Sequence, residues 1–166
     1  MREKIFTIIL CSAFILTFVY LSLKDMSKYA EIREKGDTYV CEITRYGGDV
    51  FCDISFKGHN KRLIRSEPYS TIENGELFKV YHYSKYEDLF YVAYDEPIVD
   101  LREFIEIKPL VFKEKGGYLY FEYIVNGEEY ERFQDTKLDL DTLDFTTYKL
   151  YYKKDKPSIA YVLKDN

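Results

Sequence analysis

Four glutamates, Glu122, Glu128, Glu129 and Glu131, crowd into ten consecutive residues around Asn126-Gly127. Two carboxylates flanking a glycosidic bond are what a glycoside hydrolase uses. A hairpin of exposed acids is the simpler reading of the same residues. Asp135, Asp139, Asp141 and Asp144 make a second acidic stretch. A calcium loop needs closely spaced oxygens and a glycine turn. Here Leu138, Leu140 and Leu143 interleave without a glycine, so a solvated loop or short helix face is expected. His59 falls in a polar turn and His82 in a strand, and neither has cysteine, histidine or acidic neighbours at metal-site spacing. No Gly-x-Ser-x-Gly, phosphate loop or dinucleotide fingerprint is present. The sequence thus predicts no catalytic residue, no cofactor-binding residue and no metal ligand.

Two other residue types carry chemistry. Three cysteines are too few for a disulfide scaffold, and Cys11 lies in an apolar run. A four-residue turn at Arg45–Gly48 would set Cys41 opposite Cys52 on one strand face, where a disulfide and two buried thiols are both open. Tyrosine is abundant, at 18 residues with no tryptophan. Its ring covers apolar surface while its hydroxyl stays wet. Tyr81 with Tyr83, and Tyr118 with Tyr120, are the expected surface-binding residues, each pair sharing a strand face.

These residues need elements to hold them. Ile5–Leu23 is nineteen residues without a charge, about 28 Å of helix and close to a bilayer core. A cleaved signal peptide and a lipoprotein compete with a retained anchor. Tyr20 is a poor −3 residue for cleavage after Ser22, and the apolar run continues past Cys11. A single-pass signal anchor fits best. Lys24–Lys35 continues as a helical stalk, and Gly36 is a natural stop. Arg2 and Lys4 precede the span and Lys24, Lys28, Arg33 and Lys35 follow it, a count that by itself favours a cytoplasmic C-terminal part. The short basic tail before it favours an extracytoplasmic C-terminal part.

Beyond the stalk, apolar and polar residues alternate with strand period in short runs between turns. Asn126-Gly127 is the strongest hairpin signal. Gly47-Gly48 and Gly58 recur as Gly116-Gly117 and Gly127 at an offset of 69, and Tyr81 and Tyr91 recur as Tyr151 and Tyr161 one position later. The pattern predicts a tandem duplication. The expected fold is all-β. Residues 1–36 form the membrane anchor and stalk, 37–96 a first antiparallel β unit, 97–109 a linker with a short helix, and 110–166 a second β unit. The inward sets Val50, Cys52, Ile54 and Leu119, Phe121, Tyr123 should correspond, and residues 36–166 should fold without the anchor.

The stretches "YLYFEYIVNGEEYE" and "YKLYYKKDKPSIAYVL" resemble a small β domain of uncharacterised bacterial membrane-anchored proteins, a domain of unknown function. The resemblance implies a small open barrel or curved sheet of about five strands in each unit. It implies no activity and no site residue.

The formal net charge of −5 argues against nucleic acid as a partner. The expectation is a non-enzymatic, membrane-anchored envelope binding or interaction protein, held in the membrane by residues 5–23 and using its sheets to hold a protein partner. The alternatives are an immunity or inhibitor protein that masks a basic toxin, and an envelope-polymer hydrolase.

Overall fold

In the computed structural model, residues 2–47, 49–65, 71–135 and 147–164 are described, with side chains from Ile15 onward and that of Arg65 left out. The acidic residues Asp139, Asp141 and Asp144 lie outside them. Among the described residues one helix, α1 (Arg2–Lys35), precedes eleven strands. These are β1 (Asp37–Tyr46), β2 (Asp49–Phe56), β3 (His59–Arg65), β4 (Leu77–His82), β5 (Phe90–Pro97), β6 (Phe104–Ile107), β7 (Val111–Lys115), β8 (Tyr118–Val125), β9 (Glu128–Gln134), β10 (Tyr148–Lys153) and β11 (Lys156–Lys164).

The chain divides into two compact units, one of Met1–Asp37 with Tyr81–Tyr91 and the other of Thr38–Val80 with Val92–Asn166. In the first, the C-terminal part of α1 is tied to the β4–β5 tip. Ile32 is fully buried. The Glu31 carboxylate accepts from Lys85 Nζ at 2.9 Å and from the Tyr86 hydroxyl at 2.6 Å. Arg33 donates to the Tyr91 hydroxyl at 3.1 Å. Gly36 ends the helix, its N–H donating to the Ile32 carbonyl at 2.8 Å. Further back, Ile15, Leu16, Phe18, Val19, Tyr20, Leu21 and Leu23 are all exposed. Their numbering covers every side of a 3.6-residue turn. Among the described residues no helix is long and apolar enough to cross a membrane, and the described side chains of the uncharged run are those from Ile15 to Leu23.

The described strands form a five-stranded sheet in the order β3-β2-β1-β4-β5 and two three-stranded sheets, β7-β8-β9 and β11-β10-β6. The first hairpin corrects the expected register. β1 and β2 run closer to the turn than a four-residue loop allows, so Tyr46 pairs with Asp49 and Cys41 pairs with Ile54 rather than Cys52. Gly47, at φ 68°, supplies the positive φ of a two-residue connection. The slip is two residues, an even number, so every side chain keeps its face. Val50, Cys52 and Ile54 are buried, as are Leu119, Phe121 and Tyr123.

The same register recurs 69 positions on. Lys115 pairs with Tyr118 as Tyr46 does with Asp49, and Phe112 with Phe121 as Ile43 does with Cys52. The next turn is Lys57-Gly58 (φ 50° and 79°) rather than Gly58–Asn60, so His59 enters β3. It is matched by Asn126-Gly127 (φ 53° and 86°).

Between Pro97 and β6 there is one 3-10 turn, Leu101–Glu103, capped by Asp100. This replaces the expected short helix: β5 runs through Pro97, which leaves too few residues for α-helical turns. Pro109 falls between β6 and β7, and without an N–H it cannot continue a strand ladder. On one side of the break β6 pairs with β10, and on the other β7 pairs with β8. The core of this half is Leu119, Phe121, Tyr123, Val125, Leu150, Ala160 and Val162, drawn from both three-stranded sheets. The Gln134 amide closes the seam, donating to the Val162 carbonyl at 3.1 Å and accepting from its N–H at 2.8 Å.

Candidate functional site

β8 and β9 position the acidic residues. The inward parity of β8 is spent on Leu119, Phe121, Tyr123 and Val125, so Tyr120, Glu122 and Ile124 fall on the outer face. Their partners on β9 share that face: Phe133 beside Tyr120, Glu131 beside Glu122 and Glu129 beside Ile124. Two carboxylates thus stand directly opposite, an arrangement that like charges disfavour. Tyr120 relieves it. Its hydroxyl lies against Glu122 and reaches Glu131 at 3.0 Å. The Glu122 hydrogen bond, burial and the Glu131 hydrogen bond all push the Tyr120 phenol above its ordinary range. Lys113 and Lys115 lie over its ring at 5.3 and 4.8 Å.

Leu110, Glu122, Tyr123, Glu129, Tyr130 and Glu131 line a concavity of about 340 Å³. On the inner face of the same hairpin Tyr123 and Tyr130 are stacked at 5.4 Å between centroids. Tyr123 is wholly buried and donates to the Pro157 carbonyl at 2.6 Å. Burial pushes its phenol upward. Tyr130 donates to Glu128 at 2.8 Å, which raises its own phenol. Among the described residues no cluster of three or more acidic, histidine or cysteine side chains is disposed to hold a metal ion. Tyr123 and Tyr130 take the inner face, so the concavity offers carboxylates with Leu110 at its side, which suits a guanidinium or ammonium with its apolar stem.

On the opposite side of β9, Arg132 anchors the hairpin. Its guanidinium pairs with Glu76, and Nη1 also donates to the Ser158 carbonyl at 2.7 Å. The sequence reading missed this pair. Arg132 takes the inward parity of β9, opposite Phe121, and an arginine at such a position is itself a signal of a buried partner.

The tyrosines singled out from the sequence sit differently. Tyr81 packs on Tyr91, which packs on Tyr29, and Tyr83 packs on Tyr86. All are in the helical unit and engaged with its own aromatics. Tyr118 is half-buried, and Tyr120 is only 5% exposed. The rings of Tyr81, Tyr83 and Tyr120 therefore serve internal packing. Cys41 and Cys52 are joined by a disulfide with a Cα–Cα distance of 5.5 Å. His82 is buried against Phe90, with a ring nitrogen 3.2 Å from the Glu87 carbonyl, and His59 is exposed.

No protein-family model matches the chain, and no curated protein or solved structure is significantly similar to it.

Proposed function

We propose that the chain is a membrane-anchored, non-enzymatic interaction protein whose acidic β8–β9 face holds a basic segment of a protein partner. The single observation that carries this reading is the set Glu122, Glu129 and Glu131 on the outer face of β8–β9, lining one concavity with Leu110. A cationic side chain placed there meets carboxylates with its head and the exposed Leu110 with its stem. The paired carboxylates favour binding over hydrolysis, because the Tyr120 hydroxyl already engages both Glu122 and Glu131.

Anchoring is supported by the exposed apolar residues on every side of α1 from Ile15 to Leu23, which belong in an apolar medium rather than in water, and by the uncharged run back to Ile5. An extracytoplasmic location is supported by the Cys41–Cys52 disulfide. The recurrence of turns and register at an offset of 69 supports two tandem β units, the first with an unbroken β1 and the second with its counterpart split at Pro109.

The test uses the full chain, tagged and solubilised in mild detergent, as bait for envelope proteins, alongside a Glu129→Lys/Glu131→Lys bait. A specific basic partner should be retained by the first bait, released by salt, and absent from the second. Equal capture by both baits would overturn the assignment of the site.

A further inference from the structure

The two terminal strands β3 and β9 correspond under the 69-residue offset, His59–Arg65 to Glu128–Gln134, and they carry opposite charge. β3 reads His-Asn-Lys-Arg-Leu-Ile-Arg, with Lys61, Arg62 and Arg65 and no acid. β9 reads Glu-Glu-Tyr-Glu-Arg-Phe-Gln, and its one base, Arg132, is buried on Glu76. Each ends its sheet, and a terminal strand offers unpaired backbone groups to another chain. β9 is closed toward its C-terminus, where the Thr71 hydroxyl accepts from the Phe133 N–H at 2.9 Å and contacts its carbonyl at 3.2 Å. Glu128, Glu129 and Glu131 remain exposed. β3 is exposed at His59, Asn60, Arg62 and Ile64, beside a concavity of about 460 Å³ lined in part by Asn60, Lys61 and Arg62.

We propose that the basic segment held at the acidic site is the β3 edge of a second copy of this chain, paired antiparallel with the Glu128–Glu131 end of β9. This rests on the reading of that site given above and names its occupant. Setting Arg62 opposite Glu131 places Ile64 opposite Glu129, Leu63 opposite Tyr130 and Arg65 opposite Glu128. Outer-face residues then meet outer-face residues, because Arg62 shares a face with Asp53 and Glu131 with Glu122. Arg62 already gives Nε and Nη2 to Asp53 at 2.6 and 2.8 Å, and Nη1 lies outside that contact. The two homotypic alternatives fail on charge, since β3 on β3 opposes bases and β9 on β9 opposes acids. The contact is heterologous, so it propagates into open chains of copies rather than closing as a dimer. A short strand pair buries little area and is weak in solution, but anchoring in one membrane raises the effective concentration.

The test is self-association of the full chain in detergent micelles and in lipid vesicles, read by light scattering and by energy transfer between labelled copies. Two variants are used. Arg65→Glu reverses the β3 base set opposite Glu128 and leaves the Arg62–Asp53 pair in place. Glu128→Lys reverses its partner on β9 and leaves Tyr120 with Glu122 and Glu131. The wild type should form a concentration-dependent series of oligomers that weakens by at least about tenfold between about 50 and about 500 mM salt. Each variant alone should associate at least about tenfold more weakly than the wild type, and an equimolar mixture should recover the wild-type association. That rescue also shows that both variants are folded. A wild type that stays monomeric in vesicles, or a mixture that does not associate, overturns the proposal. If the β3 variant still captures a basic partner while the wild type does not self-associate, the acidic site stands and its occupant is another protein.

Discussion

Arg132 on β9 and Glu76 just before β4 form a fork-to-fork ion pair, with Nη1–Oε1 at 2.9 Å and Nη2–Oε2 at 3.1 Å, and their side chains are 4% and 0% exposed. The Tyr161 hydroxyl donates to the second Glu76 oxygen, and the Glu73 N–H donates to the first at 2.5 Å. Burial opposes the charge on Arg132, and Glu76 more than restores it. The pair links the five-stranded sheet to the sheet carrying the acidic hairpin.

Removing one partner leaves the other charged in a dry site. Glu76→Gln should cost about 3–5 kcal/mol, read as a lower urea midpoint. Replacing the whole cluster with apolar residues, Glu76→Leu/Arg132→Met/Tyr161→Phe, should cost clearly less, because no charge is stranded. A Glu76→Gln loss below about 1 kcal/mol would mean the pair is not desolvated as described.

The register of the strands was legible in the sequence up to an even slip. Alternation fixes which face Val50, Cys52 and Ile54 take, but not which residue each one opposes, because a slip of two preserves the pattern. Only the turn decides that, and Gly47-Gly48 permits a tighter turn than four residues. The split of β6 from β7 was marked by Pro109. The Glu76–Arg132 pair was not legible as a pair, since its partners are 56 residues apart and no local period connects them. The acids of the site were visible as residues. Which of them share the outer face, with Tyr123 and Tyr130 on the inner one, required the register of β8 with β9.

Docking of α1 on the β4–β5 tip should loosen in acid. The hydrogen bond from Tyr86, then that from Lys85, pulls the Glu31 carboxyl from an ordinary 4.5 down to about 2, against a smaller effect of burial. A depressed carboxyl stabilises the folded form fully above its unfolded value and loses that contribution as pH falls toward the folded one. Near-ultraviolet dichroism of the tyrosines should therefore change between about pH 4.5 and about pH 2. In Glu31→Gln this dependence should flatten. An unchanged profile in that variant would remove Glu31 from the contact.

Gly36 should not tolerate a side chain. A Cβ there would sit 2.8 Å from the His82 carbonyl oxygen and 2.9 Å from its carbon, and against the Ile32 carbonyl. All of these are backbone atoms that cannot swing away. Gly36→Ala should destabilise by about 1–3 kcal/mol, seen as earlier proteolysis of residues 81–91. Ile32→Ala should cost about 2–5 kcal/mol for the same unit. For this reason a fragment that begins at residue 36 should show a more protease-sensitive β4–β5 tip than one that begins at residue 24. Equal sensitivity of the two fragments would count against the docking.

The Cys41–Cys52 bond carries the last prediction. The two residues lie on adjacent strands, offset by one same-face position, since Cys41 pairs with Ile54 and Cys52 with Ile43. Both are almost completely buried, so the bond is shielded from small thiols until the hairpin opens. The sequence separation is 11, and closing a loop of that length constrains the unfolded chain by about 2.5–3 kcal/mol. Cys41→Ala/Cys52→Ala should lose at least that much, with added loss from the packing volume removed. Cells should be alkylated with a permeant maleimide, denatured, and then treated with a second reagent of different mass before and after reduction. Both thiols should take the second reagent only after reduction. Labelling of Cys41 and Cys52 without reduction would show free thiols and remove the support that the bond gives to an extracytoplasmic location.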